Sequence, residues 1–332
     1  MNESVAYIIV CWNNKDLLKE CLDAIYDQTY QHKEVYLIDN NSSDGSAQFV
    51  AQNYPKVHLV RSKKNNGFAR GNNLLINKAL RDDAGIKYFA LINTDAVLDE
   101  EWTDTLVQEI KKHKNVAAAQ GITIDYNNRH LVDSHHIYVS ENLQSVQHGY
   151  REYFIEEAYF TEKVMGVNAA AAVYTRDYIE SQPFETFFDE KFFMYLEDVD
   201  VSLRAVALGW DNYFVAGAKA YHMGSASSNK RSSDFSLYYT ARNQFGLMIK
   251  NIPTKTLFRS FGKALIFEYR FIRHLKRLYG AKTQRAHIKG RVVGVFRSVM
   301  YISDRFRINK IRRANSKQAI ELFMRNKGRL AS

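Results

Sequence analysis

Cysteine is scarce in this chain. The 332 residues include two, Cys11 and Cys21, which excludes a disulfide framework and suits a reducing compartment. They fall in a predicted strand and the helix after it, as small core residues. No apolar run reaches the ~18 residues that would cross a bilayer. Met1 to Ser4 lead directly into Val5–Cys11 without a charged prefix or cleavage site, so no secretory leader is expected. Neither G-x-G-x-x-G nor a P-loop occurs, so any nucleotide phosphates are not held by a glycine-rich helix cap. No internal repeat or long low-complexity tract is visible.

Charge is plentiful but unevenly placed. From Lys250 onward there are 22 Lys and Arg against 3 Asp and Glu, whereas the first 249 residues hold 24 against 33. An acidic body with a basic tail is a two-part design, and predicts a domain over 1–249 and a basic helical region over 250–332.

The first 124 residues alternate short apolar strands (Val5–Cys11, Val35–Ile38, Val57–Val60, Tyr88–Ile92, Val116–Ile124) with helical patterns (Lys15–Tyr26, Gly45–Asn53, Asn72–Ala84, Glu101–Lys112). This predicts an α/β fold with a mostly parallel sheet covered on both faces, and such sheets bind ligands at the carboxyl ends of their strands. Four of those ends are polar: Trp12-Asn13-Asn14, Asp39 to Gly45, Asn65 to Asn73 and Asn93-Thr94-Asp95. Any one of them is ordinary turn and capping chemistry; four on one rim suggest a ligand site. A divalent cation on Asp95, Mg2+ or Mn2+, would neutralise phosphates there, since hard oxygen ligands suit these ions.

Residues 126–160 read as irregular or hairpin structure, and Gly166–Ala172 is small enough to let a substrate approach the backbone. Ser225–Asp234, with Lys230 and Arg231, is either a lid over an anionic ligand or a solvated loop. The densest stretch is residues 187–210, where Phe187, Phe188, Phe192, Phe193 and Tyr195 alternate with Asp189, Glu190, Glu197, Asp198 and Asp200. Carboxylates buried beside aromatics are costly unless paired or bound. Val199, Leu203, Val206 and Trp210 then recur at helical spacing, so a helix begins near Asp198. Glu197 and Asp198 would sit at its N-terminus, which favours anions. The plainer reading is a capped amphipathic helix packed on a core.

Taken together, the segments CWNN, IDNNSSDGS, NNGFARGNN, LINTDAVL, FDEKFFMYLEDVDVSLRAVALGW, AYHMGSAS and YYTARN resemble, in order and approximate spacing, the inverting glycosyltransferases of family 2, with the GT-A fold. Within that family the chain is most similar to the rhamnosyltransferase-like branch that builds bacterial envelope polysaccharides. The resemblance implies that Asp39, with Trp12 and Asn13, contacts the nucleotide, and that Asp44 and Arg70 line the same pocket. Asn93 and Asp95 stand where the family has Asp-x-Asp. Asp95 would then carry the metal, and Asn93 would contact sugar, ribose or water. His222 matches a late histidine that completes the metal or diphosphate site in related folds, although a lone histidine after a strand is often structural. Asp198 is the implied catalytic base, with Glu197 the second choice. Asp200 would cap the helix or bind the acceptor. Arg242 of the Arg242-Asn243 pair, with Lys230 and Arg231, would contact phosphate or acceptor.

The tail adds a location. Residues 255–280 carry an apolar face (Leu257, Phe258, Phe261, Leu265, Phe267, Phe271, Ile272, Leu275, Leu278) with Lys and Arg on the remainder, and Val292–Phe306 has a similar character. Such helices lie on anionic membranes; packing on the body with a basic outer face is the alternative. No nucleic-acid module is present. The expectation is a cytoplasmic enzyme, peripheral on the inner face of the membrane. It would use a nucleotide-sugar donor such as dTDP-rhamnose and a glycan or polyprenyl-linked acceptor. A sugar-nucleotide pyrophosphorylase is the enzymatic rival, but it needs a glycine-rich, arginine-containing loop where CWNN stands. A silent membrane- or glycan-binding module is the other; retention of Asp95 and Asp198 argues against it.

Overall fold

A computed structural model describes residues 3–224 and 233–329. The chain opens with β1 (Ser4–Cys11), α1 (Lys15–Tyr26), β2 (Lys33–Asp39), α2 (Ser46–Asn53), β3 (His58–Arg61), α3 (Gly67–Asp82) and β4 (Ile86–Ile92). Strands β4, β1, β2 and β3 lie side by side and parallel, as the alternating pattern predicts. Next come β5 (Ala96–Leu98), α4 (Trp102–Lys112), β6 (Val116–Asp125), β7 (Val132–Ser134), β8 (His136–Val139) and β9 (Ser145–His148). β8 and β9 form a hairpin apart from the main sheet. β10 (Glu162–Val164), β11 (Ala171–Thr175), α5 (Arg176–Glu180), α6 (Glu197–Leu208) and β12 (Asp211–His222) complete the body. β11 inserts antiparallel between β4 and β6, and β12 runs parallel to β6.

Successive side chains of a strand face opposite ways, and β1 shows the consequence. Val5, Tyr7 and Ile9 enter a core with α1 (Leu18, Leu22, Ile25) and α4 (Trp102, Leu106, Ile110). Ala6 and Ile8 enter a second core with α3 (Leu75, Ile76, Ala79), α5 and α6 (Val201, Ala205). Cys11 and Cys21 are both buried free thiols.

The C-terminal part is α7 (Ser233–Asn251), α8 (Thr254–Arg297), α9 (Ile302–Ile311) and α10 (Ser316–Arg325). α8 breaks at Gly280 (φ 85°, ψ 175°) and folds back on itself, bringing His287 to Glu268 at 2.6 Å. These helices share a third core with α6: Val199, Leu203 and Val206 meet Leu247, Met248, Ile252, Ile320 and Phe323. α6 is therefore sandwiched rather than laid on a surface. Residue 249 lies within α7, and the buried Lys250 beside it donates to Asp189 (2.8 Å) and Asp200 (2.9 Å) of the body.

Candidate active site

The carboxyl ends of β1, β2 and β4 meet on one rim. Asp39 ends β2 and is buried; its Oδ2 accepts the Ser42 N–H at 3.2 Å, while its Oδ1 has no partner among the described residues. Asn13, held at φ 55°, donates its N–H to Ser42 Oγ (2.9 Å) and accepts the Ser43 N–H (2.8 Å) on its side chain. Asn14 reaches Thr94 at 2.6 Å. These bonds tie the loops after three strands together beside the half-buried Trp12. Asp44 accepts the Lys15 N–H (2.9 Å) and the Ser46 N–H and hydroxyl (3.0 and 2.6 Å). It thereby holds the starts of α1 and α2 together.

At the end of β4, Asp95 is buried, with Oδ1 3.2 Å from His222 Nε2. His222 Nδ1 lies 3.0 Å from Asp133 Oδ2. Burial works against a charged imidazole, but the two carboxylates outweigh it and raise His222 to about 10. Asp133, on β7, was not singled out in the sequence; only its place before Ser134-His135-His136 marks it. A carboxylate on the far nitrogen of an imidazole is the usual partner of a metal-binding histidine. Once a cation displaces the Nε2 proton, Asp95 and His222 Nε2 offer a mixed oxygen and nitrogen donor pair that fits a divalent cation.

The stretch before α6 is unusual. Phe193, Tyr195 and Leu196 have φ of 65°, 68° and 71°, a left-handed region that costs a non-glycine residue roughly 1–2 kcal/mol. Two devices hold it. Asn243 donates its amide to the carbonyls of Phe192, Met194 and Tyr195 (3.0, 2.9 and 2.8 Å). The N–H groups of Phe68 and Ala69, opening α3, bind the Phe193 carbonyl at 2.8 and 3.2 Å. Gly67 (φ 74°) is required at that contact, since a Cβ there would lie 2.4 Å from the same carbonyl. Asn73 fixes the preceding turn through Phe188 N–H and carbonyl (2.8 and 2.9 Å).

The turn delivers Glu197 and Asp198 to the helix start. Asp198 is half-buried; its Oδ1 accepts the Val199 N–H (2.8 Å) and its Oδ2 the Ala169 N–H (3.5 Å). Burial pushes its carboxyl up to about 6, against those N–H groups. Glu197 is buried, with Oε2 unpartnered among the described residues; burial, with the adjacent Asp198 charge, pushes it well above the usual range. Ala170, next to Ala169, accepts the Asn93 N–H at 2.9 Å. Two consecutive residues thus connect Asp198 to the Asn93–Asp95 turn. Half-buried Tyr195 lies near both groups: burial raises its hydroxyl, and the charges of Glu197 and Asp95 raise it further.

The family model for glycosyl transferase family 2 matches residues 7–182, more than half of the chain. The chain belongs to glycosyl transferase family 2. It is similar to glycosyltransferase GlyG of Streptococcus pneumoniae serotype 4, 27% identical over 116 residues, which is 34% of this chain and 36% of that protein. It is also similar to poly-beta-1,6-N-acetyl-D-glucosamine synthase of Staphylococcus epidermidis, 23% identical over 122 residues, or 36% of this chain and 28% of that one. The chain spans about a third of the length of these curated relatives. Among solved structures, the mannosyltransferase PcManGT from Pyrobaculum calidifontis, in complex with GDP-Man and Mn2+, superposes with TM-score 0.53 at 16% identity, covering 98% of this chain and 87% of that one. TarS 1–349 of S. aureus in complex with UDP gives TM-score 0.56 at 14% identity, with the same coverage. These likenesses show the GT-A fold.

Within this family 2 fold, three of the residues expected to contact ligand have protein partners. Asp200 is fully buried, bound by Arg204 Nε (3.0 Å), Lys250 Nζ (2.9 Å) and Asn251 Nδ2 (2.7 Å). α6 is covered on both sides, so a charge on its inner face must be paired. Arg242 donates to the carbonyls of Lys191 and Phe192 and stacks on Tyr239 at 4.4 Å; with Asn243 it braces the left-handed turn. Arg70 lies exposed at the start of α3, 3.8 Å from Glu190. Lys230 and Arg231 lie outside the described residues.

Proposed function

We propose that this family 2 protein transfers a sugar from a nucleotide-sugar donor to a hydroxyl of a lipid-linked glycan, with inversion, in polysaccharide biosynthesis. The observation that carries the reading is Asp198: a half-buried carboxylate on the rim, raised to about 6 and bonded through Ala169 to the turn that bears Asp95. In the reaction the acceptor oxygen forms a bond to the anomeric carbon. The bond from that carbon to the diphosphate oxygen breaks, the nucleoside diphosphate leaves with the electron pair, and the acceptor proton passes to Asp198. Such base assistance contributes about 10²–10⁴-fold. Glu197 is the weaker candidate, because its burial holds the proton on.

Asp95 and His222 would hold the divalent cation, with Asp133 orienting the imidazole. The cation would supply charge neutralisation on the leaving diphosphate, and an imidazole in the donor set favours Mn2+ over Mg2+. The unpartnered Oδ1 of Asp39 suits a nucleobase or ribose donor, with Trp12 and Asn13 beside it. Asn93 would contact the sugar. The sequence resemblance favours a rhamnosyl donor.

The tail supports a membrane location. No helix of the described residues is long and apolar enough to cross a bilayer. Yet Phe258, Phe261, Leu265 and Tyr269 on one arm of α8, and Phe296 with Val299 near the end of the other, are exposed among lysines and arginines. An anionic inner membrane face is the surface that matches such helices, and it would bring the site to a polyprenyl-linked acceptor. Transfer assays with a panel of nucleotide sugars and Mn2+, before and after chelation, test the reading: product that is chelator-insensitive and unaffected by Asp198→Asn would refute it.

A further inference from the structure

Three histidines outside the rim meet at their Nδ1 atoms. His136 opens β8 and pairs across the hairpin with His148 of β9, their rings stacked at 4.6 Å; His135 precedes them at the end of β7. His135 Nδ1 lies 2.9 Å from His136 Nδ1 and 3.3 Å from His148 Nδ1, and one ligand atom from each ring lies within 4.8 Å of the others. His135 and His136 are buried and His148 half-buried.

The protons do not balance within the cluster. His136 Nε2 faces the Lys327 carbonyl at 2.8 Å, so its proton belongs there and its Nδ1 carries a lone pair. If neutral His135 holds its proton on Nδ1, it can serve His136, but then its buried Nε2 keeps a lone pair with no partner among the described residues. If the proton is on Nε2, two lone pairs face each other at 2.9 Å. Arg329 Nη2 is 3.5 Å from His135 Nδ1, at the limit of a hydrogen bond, and its charge is drawn to Glu162 at 3.1 Å. A cation where the Nδ1 atoms converge removes the conflict. Each Nδ1 lone pair goes to the ion, His136 Nε2–H goes to Lys327, and His135 Nε2–H faces the Glu162 carboxylate, 3.9 Å away.

We propose that His135, His136 and His148 bind a transition-metal ion of the Zn2+ class at a structural site separate from the Asp95–His222 pair. Imidazole donors select such ions over Mg2+ and Ca2+. Metal–nitrogen bonds of about 2.0–2.1 Å in a tetrahedron imply nitrogen separations of roughly 3.3 Å, close to the two short distances here. A carbonyl on the outer nitrogen of one ligand and a carboxylate near that of another are the usual supports. The ion would pin the β8–β9 hairpin to the chain's last described turn, where Gly328 packs on His136 and its carbonyl accepts the Met165 N–H at 2.8 Å.

The test uses the full chain, stripped with chelator and reloaded with Zn2+ or Co2+. One equivalent of Zn2+ should survive gel filtration, the melting temperature should rise, and Co2+ should give the visible bands of a nitrogen-bound ion. His148→Gln, at the most accessible ligand, should weaken retention at least about tenfold; Asp95→Asn should leave it unchanged. Absence of Co2+ bands and of retained Zn2+ in the unmodified chain overturns the proposal without recourse to a variant. Equal retention in His148→Gln, or loss in Asp95→Asn instead, overturns it as well.

Discussion

The side-chain amide of Asn243 lies 2.8 Å from the carbonyl of Tyr195, three residues before Asp198. Asn243 is on α7 and also binds Phe192 and Met194, so one buried side chain holds a turn containing three left-handed residues. Strain of this kind persists only where its surroundings over-determine it. Replacing Asn243 by Ala removes an NH2 whose two protons are shared among three carbonyls, each hydrogen bond worth about 0.5–1.5 kcal/mol, and leaves those carbonyls without that donor. We expect a fall in stability of about 2–4 kcal/mol by chemical denaturation, and a loss of turnover that persists at temperatures where the variant is fully folded. Wild-type turnover in the folded variant would show that the clamp does not position Asp198.

Asp198→Asn should lower transfer by about 10²–10⁴-fold with little change in nucleotide affinity. A base must be ionised, so kcat/KM should fall as pH drops through about 6. Stability moves the other way. A carboxyl raised from 3.8 to about 6 stabilises the fold most below 3.8, and that contribution is lost as pH rises through about 6. Asn imitates the protonated form, so the variant should melt higher than wild type at pH 8 and no higher at pH 3.5. A lower melting temperature at pH 8 would contradict the burial argument.

Asp39→Ala should separate binding from folding. Its Oδ1 has no partner among the described residues and its Oδ2 accepts one N–H, from Ser42 at 3.2 Å, so the variant should lose little stability while nucleoside diphosphate affinity drops roughly 10–100-fold, the worth of a charge-assisted hydrogen bond. Titration calorimetry beside a thermal melt reads both; unchanged affinity removes Asp39 from the pocket.

Asp133→Asn leaves the rim's proposed metal ligands in place and alters what orients one of them. Outer partners of this type typically account for 10–100-fold in metal affinity. The concentration of Mn2+ giving half-maximal transfer should rise by about that factor, with the maximal rate largely recovered at saturation.

The tail prediction uses point changes, because α7 to α10 belong to the same core as α6 and deletion of residues 255–332 would expose it. Phe258→Ser with Phe296→Ser alters two exposed side chains. Binding to anionic vesicles should fall, with no loss of melting temperature. Undiminished vesicle binding would exclude these helices as the contact.

The parallel half of the sheet was legible because its signal is local. Val5–Cys11 is apolar throughout since both faces of β1 are covered, and Leu18, Cys21, Leu22 and Ile25 repeat at helical spacing since one face of α1 is covered. The polar strand ends pointed to the rim for the same reason. Asp133 escaped notice because its importance comes from β7 pairing with β6 in register with the end of β12, a contact between segments 89 residues apart. Asp200 and Asp198 look alike in the sequence, two positions apart on one helix.

The α/β class, the family and the polar strand ends follow from the amino-acid order, because periodicity and motif order are properties of neighbouring residues. Tertiary structure alone decided which carboxylates meet solvent. α6 turns Asp200 into a buried ion-pair network and leaves Asp198 at the rim, and Asn243, brought in by α7, holds the strained turn between them and the sheet. Burial and partnership depend on what packs against a residue, and in this protein the packing comes from helices more than 40 residues further along the chain.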